Sequence, residues 1–267
     1  MEKIGLIVGN GKFPLYFIEE AKNSNISLYP IGLFSSVDEE IKKEPNYIEF
    51  NVGNIGSIVK YLLLNNINKI VMLGKIEKKI IFENLELDEY GQKMMEIVPD
   101  KKDETLLFAI IGFLRLNGIK VLGQNYLMKK FIFENKCYTE MKPSQEDEKT
   151  ISIGMEAARL LSRLDIGQSV VCREMSVIAV EGIEGTDKTI KRAGEYSDKN
   201  NILVKMARPQ QDTRVDIPVI GLSTIENAIK NGFKGIVAQA NKMIFLNQKE
   251  CIDLANKNNI FIIGKKI

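Results

Sequence analysis

The chain has 267 residues, 45% of them hydrophobic, with 37 Lys and Arg against 35 Asp and Glu. That size and composition suit one large domain or two smaller ones, each able to bury a core. A net charge of +2 and zero histidines exclude a general polyanion surface, Ser-His-Asp and Cys-His catalysis, and every histidine-ligated metal centre. With no basic patch or aromatic platform, nucleic acid is not an expected partner. Cys137, Cys172 and Cys251 are scattered and odd in number, which reads as reduced thiols. No apolar run reaches the ~18 residues of a membrane span. The Met1 end shows no charged and apolar signal pattern, so a cytosolic protein is expected.

In chain order, Ile4 to Val8 is a short apolar run, read as a buried strand. Gly9, Asn10, Gly11 and Lys12 follow, then Pro14 and an amphipathic segment to Lys22, giving strand, glycine turn and helix. Such a turn lets backbone approach a ligand, and the helix start favours an anion. The third glycine of a dinucleotide fingerprint is replaced by Pro14, and no Walker motif is present. Ile26 to Phe34 predicts a second strand, Asn54 to Asn65 a helix, and Lys69 to Leu73 a third strand ending at Gly74-Lys75. In an open parallel sheet, Lys12 and Lys75 can face one anion. Lys79 to Val98 reads as an irregular helix, and Asp103 to Asn117 as an amphipathic one with Leu106, Leu107, Ile110, Ile111 and Leu114 on one face. Ile119 to Leu122 is another strand, closed by Gly123-Gln124-Asn125. The pattern predicts an α/β chain with a Rossmann-like parallel-sheet domain over 1–134.

The polar stretch Asn135 to Asp147 marks a boundary, and 135–267 reads as a C-terminal mixed-sheet α/β catalytic domain. The active site is expected in the cleft between the two. Glu146 to Leu164 predicts a helix, and Ser169 to Cys172 and Val177 to Val180 two strands. Glu184, Gly185, Thr186 and Asp187 open a further helical segment, with Thr186 or Asp187 expected as its cap. Its amides, with Lys188, Lys191 and Arg192, can hold a phosphate. A strand over Ile202 to Ala207 carries Lys205 and leads into the richest stretch, Pro209 to Gly221. There Arg208, Gln211, Asp212, Arg214 and Asp216 crowd between stiffening prolines. A helix over Ser223 to Gly232, strands at Gly235 to Gln239 and Lys242 to Leu246, a helix at Gln248 to Asn256 and a strand at Ile260 to Ile263 complete the chain.

Glycine turns and lysines in one half, and arginines and carboxylates in the other, fit a phosphorylated ligand. Without histidine, a metal would take oxygen ligands, which suits magnesium, manganese or calcium. Asp212 and Asp216, or either with Asp187, can share such an ion, which would polarise a phosphoryl oxygen and activate water. Alternatively, one carboxylate serves as general base. Both readings stand at this point.

The blocks I-G-L-I-V-G-N-G-K-F-P, G-K-I-E-K, G-Q-N-Y-L, L-D-I-G-Q-S-V-V, A-V-E-G-I-E-G-T-D and P-Q-Q-D-T-R-V-D-I-P-V-I-G occur in order over nearly the whole chain. They resemble the UDP-2,3-diacylglucosamine pyrophosphatase family of the histidine-poor, magnesium-dependent two-domain type. The resemblance implies hydrolysis of UDP-2,3-diacylglucosamine to UMP and 2,3-diacylglucosamine 1-phosphate in lipid A synthesis, with attack at the UMP-side phosphorus. It also implies peripheral work at the cytoplasmic face of an inner membrane. Under it, Asn10 and Gly11 match a nucleotide-side loop, Thr186 and Asp187 the E-G-T-D block, and Asp212 and Asp216 the paired carboxylates, with Asp216 the more critical. Arg208 stands where the family often has lysine and Gln210 where glycine is usual. Homes for acyl chains are sought among Met94, Met95, Ile97 and Phe131 to Phe133. A homodimer is expected from exposed apolar segments of the second domain. Rival readings are an NAD-dependent oxidoreductase, with Asp38 or Glu39 on the ribose, and a nucleotide-sugar sensor lacking a reactive carboxylate.

Overall fold

The computed structural model describes residues 1–33, 37–74, 86–98, 103–197 and 199–266. The described chain divides into two compact units: residues 1–128 with 212–216, and residues 129–211 with 217–267. Residues 212–216 therefore belong with the first unit, although the chain on either side of them belongs with the second.

In the first unit the apolar runs become parallel strands. β1 (Glu2–Val8) pairs with β2 (Ile26–Gly32) on one side and β4 (Lys69–Leu73) on the other. Short strands β3 (Ile48–Glu49) and β5 (Lys120–Val121) complete the order β3-β2-β1-β4-β5. Ile4, Leu6 and Val8 are fully buried, as expected of a central strand covered on both faces. α1 (Phe13–Asn23) starts with Pro14 in its first turn, where a missing N–H costs nothing. Two elements escaped the sequence reading because they are too short to show a period: β3, and the single turn α2 (Glu39–Lys42), capped by Asp38. Strand β2 stops at Gly32, and Phe34 lies outside the described residues.

α3 (Ile55–Leu64) and α5 (Asp103–Leu116) match the expected helices. Of the irregular helix expected over 79–98, residues 79–85 lie outside the described residues, and α4 spans Glu89–Ile97. Asp88 serves two helices at once. Its Oδ1 accepts from Gly91 N at 2.8 Å in α4, and its Oδ2 accepts from Gly56 N at 2.7 Å and Ser57 N at 3.2 Å in α3. A charged cap of this kind contributes about 1 kcal/mol per helix start.

The second unit holds a mixed sheet, β12-β10-β8-β6-β7. β8 (Asn201–Lys205), β10 (Phe233–Gln239) and β12 (Phe261–Lys265) run parallel, and β6 (Ser169–Arg173) and β7 (Ser176–Val180) add antiparallel pairs. Alternate residues feed opposite faces. Val171, Leu203 and Ile236 join one core with residues of α7 (Thr186–Tyr196), α8 (Leu222–Lys230) and α9 (Gln248–Lys257). Val170, Ile202, Val204 and Val237 join another with α6 (Gln145–Arg163). α6 begins in a capping box: Ser144 Oγ accepts from Asp147 N, and Asp147 accepts from Ser144 N. The strand expected over 242–246 is only β11 (Ile244–Phe245). It pairs with β9 (Val219–Ile220) in a separate two-stranded ribbon, because the place beside β10 is taken by β12. Cys172 and Cys251 are buried free thiols, and burial pushes both up to about 12, so they are inert core residues.

Candidate functional site

The strand order of the first unit reverses between β1 and β4, and ligands of open parallel sheets bind beyond the carboxyl ends of strands at such a point. There the chain carries its glycines. Gly9 N donates to Leu73 O at 2.8 Å, tying the two strand ends together. Gly74 has φ +97°, and a Cβ there would lie 2.5 Å from the Gly9 carbonyl carbon and 2.9 Å from Asn10 O. Only glycine permits that approach. Gly11 also has a positive φ, +110°, but faces open space. Lys12 is exposed at the start of α1, which has no side-chain cap. Lys75, expected to share an anion with Lys12, lies outside the described residues. Asp38, the rival ribose ligand, spends Oδ1 on the N–H of Glu40.

The segment 212–216 is folded against this end of the unit by Gln124. The Gln124 N–H donates to Thr213 O at 2.6 Å, and its buried amide donates to both Met72 O and Val215 O at 2.9 Å. Within the segment, Asp212 organises a tight turn. Its backbone carbonyl accepts from Val215 N at 3.0 Å and Asp216 N at 3.1 Å, and its Oδ1 accepts from Arg214 N at 3.0 Å. The Arg214 guanidinium grips the same carboxylate, with Nη2 to Oδ2 at 2.6 Å and Nε to Oδ1 at 3.0 Å. The bond from Arg214, aided by its N–H and its charge, holds the Asp212 carboxyl below the usual range against the opposing effect of burial. Asp216 sits at the exposed end of the turn.

That arrangement carries a pH prediction. Since the folded-state pKa of Asp212 is depressed, its contribution to stability is fully present above the unfolded pKa and is lost as pH falls through the folded one. Arg214→Met is expected to return the Asp212 carboxyl toward the ordinary range, read by carbon NMR titration of labelled aspartate, and to remove this part of the acid dependence.

In the second unit the loop before α7 is built by side chains that pair with one another. Gly185, at φ +82°, is the N-cap residue of α7. Neither Thr186 nor Asp187 caps the helix as expected. Thr186 lies inside the first turn, and its hydroxyl is within 3.2 Å of both the Glu181 carboxylate and Ser169 Oγ. Glu184 accepts from Arg192 Nη2 at 2.6 Å and from Gly182 N at 3.1 Å, and the bond from Arg192 lowers its pKa. Further along, Arg208 pairs with Asp165 at 2.8 Å, its N–H donates to Gln211 Oε1 at 2.9 Å, and Lys205 Nζ donates to Val219 O at 3.3 Å. Ser169 and Glu181 were not singled out from sequence; the available signal was polar residues at the start of one strand and the end of its hairpin partner.

No group of three or more Asp, Glu, Cys or His side chains able to hold a metal is found among the described residues. Both carboxylate oxygens of Asp212 already accept from the Arg214 guanidinium. What the first unit does form is a cavity of about 310 Å³ lined almost wholly by aliphatic side chains. Ile58 of α3, Met94 and Met95 of α4, and Leu106, Leu107 and Ile110 of α5 wall it, while Gly9, Gly74, Gln124 and Val215 border it. Met94 and Met95 thus lie where an apolar ligand can reach them, whereas Ile97 is exposed and Phe133 is fully buried, stacked on Phe245 at 4.5 Å. The apolar face expected over 106–114 both joins the core, through Ile111 and Leu114, and lines this hollow, through Leu106, Leu107, Ile110 and Leu114.

Models of the LpxI N-terminal and LpxI C-terminal domains match residues 3–131 and 134–263 respectively. The chain belongs to the LpxI family. A curated relative, UDP-2,3-diacylglucosamine pyrophosphatase LpxI of Caulobacter vibrioides, is 27% identical over 275 residues, spanning 99% of this chain and 98% of the relative. The match to the LpxI N-terminal domain includes the strand switch point and nearly all the cavity wall. The match to the LpxI C-terminal domain includes the Glu184–Asp187 loop and also residues 212–216, which fold with the first unit.

Proposed function

We propose that this LpxI-family chain hydrolyses UDP-2,3-diacylglucosamine to UMP and 2,3-diacylglucosamine 1-phosphate, a step of lipid A synthesis. The relationship in both domains, over nearly the full length, to an enzyme named for that substrate carries the reading. In this reading a water oxygen attacks the UMP-side phosphorus. A new P–O bond forms there, the anhydride P–O bond breaks, and the sugar 1-phosphate leaves with the electron pair. Asp216, the exposed carboxylate of the turn, takes the proton of the attacking water. Asp212 fixes Arg214 beside it, and the guanidinium offsets charge on the phosphoryl oxygens. The Gly9–Lys12 turn with Gly74, in the first unit, binds the polar portion of the substrate.

Magnesium belongs to this reading through the family resemblance and the oxygen-only ligand supply of a histidine-free chain. Asp212 and Asp216, or either with Asp187, would hold the ion, and no step is routed through it. The apolar cavity supports a lipid substrate. Its volume is about 310 Å³, and its aliphatic wall suits an acyl chain. Each methylene buried there contributes about 0.8 kcal/mol. Among the described residues no helix is long and apolar enough to cross a membrane, and the reading sets the enzyme peripherally at the cytoplasmic face of the inner membrane. A homodimer through the exposed Leu164, Ile166 and Ile183 of the second unit belongs to the same reading.

The test is release of UMP from UDP-2,3-diacylglucosamine with magnesium, and again with EDTA. UMP appearing only with the metal supports the whole reading. Metal-independent release keeps the reaction and removes magnesium. No release from folded protein overturns the reaction. Met95→Trp, which fills the cavity from its wall, is expected to lower kcat/KM for long-chain substrate about ten-fold and to spare a short-chain analogue.

A further inference from the structure

The apolar cavity and the Asp212–Asp216 turn share one short stretch of backbone. Val215 and Gln124 both border the cavity. Val215 also packs against the core formed by β4, β5, α3 and α5. Its carbonyl accepts from Gln124 Nε2 at 2.9 Å, and the N–H of the same peptide, that of Asp216, donates to Asp212 O at 3.1 Å. The second proton of the Gln124 amide goes to Met72 O, near the end of β4, also at 2.9 Å. Both side-chain donors of Gln124 are thus spent inside the protein, and none is left for a substrate. The Val215–Asp216 peptide, planar and held at both its polar groups, is one rigid piece. On one side it carries a side chain at the wall of a hollow, and on the other the carboxylate that serves as general base in the reading above. A side chain that borders a hollow lacks contact partners there, so packing supports this side of the turn only when the cavity is filled.

We propose that an acyl chain seated in the cavity packs on Val215 and, through the Val215–Asp216 peptide, sets Asp216 in its working position, so that the chain raises kcat and not affinity alone. The proposal rests on the hydrolysis reading above, which supplies the acyl chain and the role of Asp216. Binding energy from a remote part of a substrate speeds the reaction only where it is realised as better placement of the reacting groups, and such substrates lose kcat when truncated. A misplacement of about 1 Å can cost about 10²-fold in rate, so a small movement of Val215 suffices. Val215 is thus a positioning residue: it touches the lipid, and its neighbour in sequence does the chemistry. The same coupling discriminates against UDP-sugars without acyl chains, which reach the polar turn but leave the cavity empty.

The experiment has two arms, both on the full chain. In the first, kcat and KM are measured separately for long-chain UDP-2,3-diacylglucosamine and for its dibutanoyl analogue. The wild type is expected to show a kcat about ten-fold higher with the long chains. Val215→Ala, which withdraws the side chain from the cavity wall, is expected to bring the two kcat values together. In the second arm, hydrogen exchange of the Asp216 amide is followed with and without tetradecanoate, a chain that cannot be hydrolysed. Exchange is expected to slow at least about three-fold in the wild type and to stay unchanged in Val215→Ala. Equal kcat for the two substrates in the wild type, with the difference confined to KM, overturns the coupling. So does wild-type exchange that ignores tetradecanoate, or a Val215→Ala variant that keeps the long-chain advantage in kcat. If Val215→Ala does not fold, the wild-type measurements decide alone. Slowed exchange with no UMP release from either substrate overturns the hydrolysis reading and leaves the link from cavity to turn standing; absence of both overturns both.

Discussion

Asp216→Asn is expected to lower the rate of UMP release about 10³-fold, the usual worth of a positioned general base, while leaving the fold and substrate affinity in place. The substitution keeps shape and removes the carboxylate. The turn itself is held by backbone groups of Asp216 and Asp212 and by the Asp212–Arg214 pair, none of which it touches. Steady-state kinetics, the unfolding temperature and equilibrium binding of UDP-2,3-diacylglucosamine together check it. Retained binding with lost turnover separates an enzyme from a nucleotide-sugar sensor. Near-normal turnover would remove Asp216 from the chemistry and move attention to Asp212. Asp212→Asn should behave differently, loosening Arg214 and the turn as well, so its effect should appear in stability and in KM as much as in kcat.

Gly74→Ala is expected to destabilise the protein by about 3 kcal/mol and to abolish turnover at temperatures where the variant still folds. The added methyl would meet the backbone of Gly9 and Asn10, not the end of a flexible side chain, and the residue already sits at a φ of +97°. Relief requires the end of β4 to part from the β1–α1 turn, which breaks the Gly9 to Leu73 bond and opens the anion-facing turn. Gly11→Ala is the internal comparison. It has the same kind of backbone but nothing within 4 Å of the added carbon, so strain alone applies, about 1 kcal/mol. Urea titrations of both variants read the difference directly.

The regular part of the architecture was legible because apolar runs of five to seven residues bounded by glycine leave few alternatives to a buried parallel strand. β1, β4 and the glycines Gly9 and Gly74 that follow them stand where the sequence places them. What it hid has physical reasons. β3 and α2 are too short to carry a period. Asp88, a residue in an unremarkable polar stretch, caps a helix 32 residues away, and separation along the chain conceals such a partner. The amphipathic face 106–114 has the same pattern whether it packs on a core or lines a hollow, because periodicity reports which side is apolar and not what occupies it. The crowded stretch 208–216 was conspicuous from its composition. Its internal pairing of Asp212 with Arg214 follows from a spacing of two residues, but the burial of Gln124 under it does not.

The membership of residues 212–216 in the first unit has a consequence for how the protein comes into being. A ribosome delivers residues 1–128 first, and N-terminal domains commonly fold as they emerge, at about 5–20 residues per second. This one lacks residues 212–216 at that stage. Gln124 waits with a buried amide and N–H whose acceptors, the carbonyls of Thr213 and Val215, are not yet made. Those acceptors arrive only after residues 129–211 have been synthesised, and the main sheet of the second unit still lacks β10 and β12 at that moment. Until they arrive, Gln124 has only water for those bonds, and the hollow lacks its Val215 border. The boundary between the two family domains is therefore not the boundary between the two folding units, since the first is completed by residues 212–216.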